Sequence, residues 1–282
     1  MASLEFSGKT ALITGAGSGI GRSIAIAFAS AGARVVLAGR RLEELEESAR
    51  LIREGSGEAL AVPADVTDER SVGALVDQVG PLHVAVNAAG TVLGGAVDEM
   101  EAEAFARVFD VNVTGLWLSM KHEVRVMKAT GGGAIVNIGS NIGARIVRPS
   151  MGAYAASKAA VSSLTRTAAL EAIPHGVRIN CLCPGPVDTP LSIRPGEDRA
   201  ARDARVAATN PSKRVAKTDE VAAAALWLAS TAASYIAGQD IVIDGGASVR
   251  TSTLATIHRR KQCRPAADIV DAFVHDLKKR RG

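Results

Sequence analysis

The sequence predicts an α/β fold: a doubly wound, parallel seven-stranded sheet with helices on both faces, built as a single domain. Three observations carry this. Short β-branched runs alternate with longer helical patterns, as in βαβ units joined by right-handed crossovers. The strands read as near-continuous apolar runs, as expected when both faces of a parallel sheet are covered. A glycine-rich turn stands between the first strand and the first helix, where a βα loop of such a sheet meets a ligand. The chain has 282 residues, 47% of them apolar, enough for one large domain with a sizeable core. Aromatics make up only 3%, so Ala, Val, Ile and Leu must do most of the packing.

The elements follow in order. "KTALIT" (9–14) is the first strand, and residues 20–33 form a helix that ends near Gly32. "RVVLAG" (34–39) is a strand, followed by the charged amphipathic helix "RLEELEESARLIREG". Strand "EALAVP", a helix over 68–79, strand "HVAVNAAG", a long helix over roughly 99–129 and strand "GAIVNIGS" come next. A helix at 151–172, strand "GVRINCLCPG", a helix at 218–230 and strand "DIVIDGG" complete the set. The charge-rich stretch 186–216 reads as a long connection, a length usually functional or disordered, and a candidate lid. The domain spans 1–246, and 247–282 is a basic extension. Its "ADIVDAFVHDLKKRRG" places apolar residues at 269, 270, 273, 274 and 277, a helical spacing.

Charge and composition exclude several classes. The net charge is +4, but residues 247–282 hold nine Lys/Arg against three Asp/Glu, a net +6, which leaves −2 for the rest. A basic pI that belongs to a tail argues against a nucleic-acid binder. No apolar run reaches spanning length and no signal-peptide pattern opens the chain, so a cytoplasmic protein away from membranes is expected. Cys181 and Cys183 are two apart in a strand and so point to one face. They read as small buried side chains, and no metal site is expected. The five histidines are scattered, and neither HExxH nor GxSxG occurs.

Two stretches carry chemistry. In "TGAGSGIG" (Thr14–Gly21) glycines let the backbone approach a ligand closely, while the following helix offers free N–H groups and its positive dipole end. Together they make a pyrophosphate site. The glycines at 15, 19 and 21 give GxxxGxG rather than GxGxxG, and no Lys-Ser/Thr follows, which excludes a nucleoside-triphosphate P-loop. In "YAASK" (Tyr154–Lys158) the phenol and the amine are four residues apart on one helix face. A phenol with a pKa of ~10 is a poor proton donor and acceptor near neutrality. A fixed positive charge beside it favours phenolate.

With "DV" (Asp65, Val66), "NAAG" (87–90), "VNVTG" (111–115), "NIGS" (137–140), "CPGPVDTP" (183–190) and "IDGG" (243–246), these motifs occur in the order found in the short-chain dehydrogenase/reductase family. Over residues 5–246 the chain resembles that family, in its 3-oxoacyl-carrier-protein-reductase-like branch. The resemblance implies a Rossmann-type domain and a ketone–secondary alcohol oxidoreductase. It also implies Tyr154 as general acid/base, Lys158 beside it and on the nicotinamide ribose, Ser140 polarising the substrate carbonyl, and Asn112 holding a proton-relay water. Gly15, Ser18, Gly19, Ile20 and Gly21 would cradle the pyrophosphate, with Asp65 and Val66 at the adenine and Asn87, Ala88 and Gly90 along the adenosine side. Pro184, Gly185, Val187 and Thr189 would meet the nicotinamide. Ala88 departs from the family's Asn-Asn-Ala-Gly, which bears on stability or cofactor affinity rather than on chemistry.

For the cofactor, Gly39 stands at the end of the second strand, where an acid would bind a 2′-hydroxyl, and Arg40 and Arg41 follow. The Arg fork fits a 2′-phosphate. The reading therefore favours NADP(H), with NAD(H) the alternative if both arginines merely pair with Glu43–Glu47. The substrate is expected to be a small carbonyl compound or alcohol of 3-oxoacyl, cyclic-ketone or polyol type. Arg145, Arg148 and Arg194 flank the expected pocket, either as solvated loop charges or as a site for an anionic group. The resemblance implies a homotetramer or homodimer through 99–129 and 151–172. The competing reading is a non-catalytic dinucleotide-binding regulatory protein with a basic interaction tail.

Overall fold

The computed structural model describes residues 5–249. Seven strands, β1 (Thr10–Thr14), β2 (Arg34–Gly39), β3 (Glu58–Pro63), β4 (Val84–Asn87), β5 (Gly133–Ile138), β6 (Val177–Pro184) and β7 (Asp240–Ile243), form one sheet. Its order is β3-β2-β1-β4-β5-β6-β7, and every neighbouring pair is parallel. The strand order reverses between β1 and β4, and a crevice opens there beyond their carboxyl ends. The helices are α1 (Gly19–Ser30), α2 (Leu42–Glu54), α3 (Glu69–Val79), α4 (Ala102–Phe109), α5 (Gly115–Ala129), the single turn α6 (Asn141–Ala144), α7 (Gly152–Ala172), α8 (Arg199–Thr209) and α9 (Thr218–Ala229).

The period-two geometry of a strand explains why both faces are apolar. Ala11 and Ile13 of β1 and Val35 and Leu37 of β2 pack with Phe28 of α1, Leu45 and Ile52 of α2, and Val221 and Leu228 of α9. The alternate residues Leu12, Val36 and Ala38 pack with Leu75 and Val76 of α3, Leu116 and Met120 of α5, and Val161 and Ala169 of α7. Phe6 closes the first cluster edge-on against Phe28, with centroids 4.9 Å apart.

Two expectations are corrected. The helix expected over 99–129 is two helices, α4 and α5, joined by a wide π-type turn at Asp110–Thr114. The connection 186–216 is not structureless, since it contains α8, whose N-cap Asp198 accepts from Ala201 N at 2.7 Å. Residues 5–248 belong to one compact unit. The helix-spaced run at 269–277 and almost all of the basic extension lie outside the described residues. Among the described residues, no helix is long and apolar enough to cross a membrane.

Candidate active site

β1 runs straight into the glycine loop and α1. Gly15 sits at φ +68°, and a Cβ there would lie 2.7 Å from Ala89 N. A side chain is therefore excluded by the backbone that follows β4. A Cβ on Gly21 would overlap the Gly15 carbonyl. Arg22 braces the loop from behind, donating to the Gly17 carbonyl and, at 2.9 Å, to Ser48 Oγ of α2. Its guanidinium also meets Glu44 Oε2 at 3.2 Å.

The crevice at the switch point is a cavity of about 330 Å³. Of the residues expected to bind a cofactor, it is lined by Gly15, Ser18, Gly19, Ile20, Gly21, Arg40, Arg41, Asp65, Val66, Ala88, Gly90 and Thr189. Arg107, Thr91 and Glu44 line it as well, and sequence reasoning missed them. Arg107 and Glu44 carry no motif, whereas Thr91 directly follows "NAAG". Arg41 pairs with Glu44 at 3.7 Å, as in the plainer reading of the two arginines. Arg40 is exposed and has no ion pair among the described residues. The Asp65 carboxyl is held below its ordinary range, first by the Thr67 backbone N–H and also by the charges of Arg40 and Arg107.

Four residues expected at the cofactor, Asn87, Pro184, Gly185 and Val187, are not among those lining this cavity. The Asn87 side chain points away from the crevice into the sheet interior, donating to Glu123 Oε2 at 2.9 Å and Asn137 Oδ1 at 3.0 Å. Val187 is buried in the core. A Cβ on Gly185 would sit 2.7 Å from Asp244 Cβ, so this glycine abuts the end of β7. Pro184 is buried at the end of β6, and of this group only Thr189 reaches the crevice wall.

The four expected catalytic residues come from three places in the fold. Tyr154 and Lys158 lie one turn apart on α7. Lys158 is 6% exposed, and its Nζ donates to the Ile138 carbonyl at the end of β5 at 2.8 Å. Nζ stands 5.8 Å from the Tyr154 ring centroid. Ser140 follows β5; its hydroxyl accepts from Ile142 N at 3.1 Å and acts on the Tyr154 phenol, favouring its ionised form. Asn112 occupies the wide turn, fully inside. Its Oδ1 accepts from Thr91 N at 2.8 Å, and its Nδ2 donates to Thr91 O at 2.9 Å and Ser157 Oγ at 3.0 Å. Ser157 in turn donates to the Tyr154 carbonyl at 2.8 Å. A Cβ on Gly90 would lie 3.4 Å from Asn112 Oδ1 and 3.7 Å from Lys158 Nζ. The crevice wall and the proton-handling groups therefore adjoin.

The electrostatics differ from the sequence expectation in one respect. Burial is the largest influence on Tyr154 and pushes its phenol above the ordinary value, with the Ser140 hydrogen bond opposing. Burial pulls Lys158 down to about 8, against the smaller opposing influence of Cys181 and Cys183. Both thiols are buried on the expected face with sulfurs 3.5 Å apart. Strand pairing also brings in Asp240, so that the two sulfurs and a carboxylate oxygen lie within 4.8 Å of one another. Spacing within β6 alone does not reveal that neighbour.

Comparison with known proteins identifies relatives of the whole domain. The family model described as enoyl-(acyl carrier protein) reductase matches residues 15–248. The chain is 41% identical over 247 residues to a cis-4-hydroxycyclohexanecarboxylate dehydrogenase from Sinomonas cyclohexanicum, covering 86% of this chain and 97% of that one. It is 39% identical over 246 residues to a galactitol 2-dehydrogenase (L-tagatose-forming) from Cereibacter sphaeroides, covering 86% and 96%. Among solved structures, a gluconate 5-dehydrogenase from Burkholderia cenocepacia, in complex with NADP and tartrate, is similar with a TM-score of 0.83 and 32% identity, over 89% of this chain and 99% of that one.

Proposed function

The chain belongs to the short-chain dehydrogenase/reductase family, and from that premise we propose that it interconverts a ketone and a secondary alcohol, using NADP(H) in preference to NAD(H). The observation that carries the reading is the gathering of Ser140, Tyr154, Lys158 and Asn112 beside the glycine-walled crevice. The crevice fits a dinucleotide. The loop that opens α1 excludes side chains at Gly15 and Gly21, and among the described residues Arg40, where β2 ends, has no ion pair. When bound, the nicotinamide supplies or accepts the hydride.

The residues of this chain handle the proton and the charge. As a ketone oxygen gains negative charge, the Tyr154 phenol donates its proton to it; in the reverse direction the phenolate takes the alcohol proton. The Ser140 hydroxyl, already oriented by Ile142 N, stabilises the same oxygen. The Lys158 ammonium, fixed on the Ile138 carbonyl, favours the phenolate form of its neighbour. Asn112 clamps Thr91 to Ser157, which keeps the crevice wall in register with the first turn of α7. The non-catalytic regulatory reading gains no support from a site that retains all four groups.

The names of the relatives, a hydroxycyclohexanecarboxylate and a galactitol dehydrogenase, support a secondary alcohol on a ring or polyol as the substrate class. Assembly as a homotetramer or homodimer is part of the proposal. Phe105 of α4, Trp117 of α5 and Leu170 of α7 are exposed apolar side chains on the elements expected at the interface. The test is a panel of cyclic ketones, polyols and 3-oxoacyl compounds, followed at the reduced-nicotinamide absorbance band with each cofactor. Turnover of at least one class, faster with NADPH than with NADH at limiting concentration, is the expected outcome. No turnover of any class with either cofactor contradicts the reading.

A further inference from the structure

The two thiols of β6 form a cluster that the crevice chemistry does not use. Cys181 and Cys183 are fully buried, and Leu182 between them points to the opposite face of the sheet. Their sulfurs are 3.5 Å apart. β7 runs alongside and pairs Asp240 with Cys181 and Val242 with Cys183. Val242 packs into the same cluster as the thiols, so Asp240, two residues before it, faces the same way. A carboxylate oxygen of Asp240 and the two sulfurs lie within 4.8 Å of one another.

The carboxylate is only half satisfied. Its Oδ2 accepts from Arg166 Nη1 of α7 at 3.3 Å, whereas Oδ1 is buried and has no partner among the described residues. A buried anionic oxygen without a donor or a cation is costly. The backbone of β5 leaves the sulfurs their space. A Cβ on Gly139 would lie 2.5 Å from Cys181 Sγ and 2.9 Å from Cys183 Sγ.

The distances suit a metal ion better than a disulfide. Two metal–thiolate bonds of ~2.3 Å starting from sulfurs 3.5 Å apart meet at about 100°, close to tetrahedral. Residues two apart on a strand have Cα atoms about 6.6 Å apart, near the upper end of what a disulfide spans. The Asp240 side chain is 13% exposed and the thiols are sealed, so an ion would arrive from the carboxylate side.

We propose that Cys181, Cys183 and Asp240 bind a thiophilic divalent cation of the zinc–cadmium class. The ion would staple β7, the last strand in the sheet order, to β6. As each metal–sulfur bond forms, the thiol releases its proton to solvent, which leaves two thiolates and a carboxylate around the cation. No electron is transferred. Arg166 steadies the outer carboxylate oxygen from beyond the ligands. The inference is independent of the ketone–alcohol reading, since none of these residues handles the substrate or its proton.

The probe is Cd2+, followed by its thiolate-to-metal absorbance in the ultraviolet, with Zn2+ as competitor. The full chain carries Cys263→Ser throughout, so that a third thiol contributes nothing. This parent is expected to take up one Cd2+ with thiolate absorbance and a dissociation constant below about 1 µM. Excess metal raises its Tm, as for any ligand of the folded state. Cys181→Ala and Cys183→Ala each remove most of the absorbance. Asp240→Asn keeps the absorbance but binds at least about tenfold more weakly. Should a cysteine variant fail to fold, the parent and Asp240→Asn still decide. No thiolate absorbance in the folded parent, weaker binding than about 1 µM, or undiminished affinity in Asp240→Asn overturns the proposal. Two thiols lost to a disulfide as purified, with no metal uptake after reduction, overturns it in favour of a redox pair.

Discussion

At Glu123 a carboxyl group is sealed between α5 and the sheet. It is 0% exposed, Asn87 Nδ2 donates to its Oε2, and among the described residues Glu123 Oε1 and Asn87 Oδ1 are buried without a partner. Burial raises its pKa from 4.5 to about 7, so the folded protein holds a proton that the unfolded chain has released. Stability from this group is full below about pH 4.5 and is lost as pH rises to about 7. The loss is on the order of 3 kcal/mol at 1.36 kcal/mol per unit. Glu123→Gln should flatten that slope, raising stability at pH 8 and changing little at pH 4, as read from denaturant titrations. An unchanged slope refutes the assignment. Lys158 gives a second pH signature. Its folded pKa of about 8 lies below the ordinary 10.5, while Tyr154 is pushed upward. In the free enzyme the lysine therefore loses its charge first, and kcat/KM for ketone reduction should fall as pH rises through about 8. A profile flat to pH 10 would contradict that order. Arg40, without an ion pair among the described residues where Arg41 has one, is the cleaner probe of cofactor choice: Arg40→Ala should raise KM for NADPH at least about tenfold and leave KM for NADH nearly unchanged.

The glycine loop is the element whose shape the sequence states most fully, because strand, GxxxGxG and helix dictate one geometry. Gly15→Ala forces a Cβ to within 2.8 Å of three backbone atoms at positive φ. The variant should bind cofactor at least tenfold more weakly, a cost of ~1–3 kcal/mol, as read by fluorescence titration. Affinity like that of the wild type would show that the loop relaxes freely. Other elements were less legible. The break at Asp110–Thr114 lies in "DVNVT", three of whose residues are β-branched and stiff at χ1, but the apolar spacing on either side continues without a gap. Helix α8 hid behind its charge. Seven of its eleven residues, "RAARDARVAAT", are small or apolar, yet Asp198 as N-cap and the buried pair Arg202 and Val206, four apart, are its only firm signals. A buried arginine reads as a surface residue until its partners Asp188 and Asp203 are in place.

In the whole molecule, the alternation of strands and helices fixed the sheet's composition, and the apolar alternation within each strand fixed which helices cover which face. Tertiary pairing supplied what local patterns do not carry. Asn87 sits in a recognisable motif, but only the arrival of Glu123 and Asn137 turns its side chain inward. Ser157 lies inside "YAASK" and looks like filler until the wide turn brings Asn112 to it. The proposed catalytic residues were legible as motif positions: Ser140 ends "NIGS", Tyr154 and Lys158 bound "YAASK", and Asn112 lies within "VNVTG". The central claim is that Tyr154 moves the proton while the crevice holds the dinucleotide. The most direct measurement compares Tyr154→Phe with the wild type, recording turnover on the best substrate of the panel and cofactor affinity on the same preparation. The account predicts turnover reduced by at least about a thousandfold, consistent with loss of a general acid/base, with cofactor affinity within about threefold. Turnover near that of the wild type, with cofactor still bound, would contradict it.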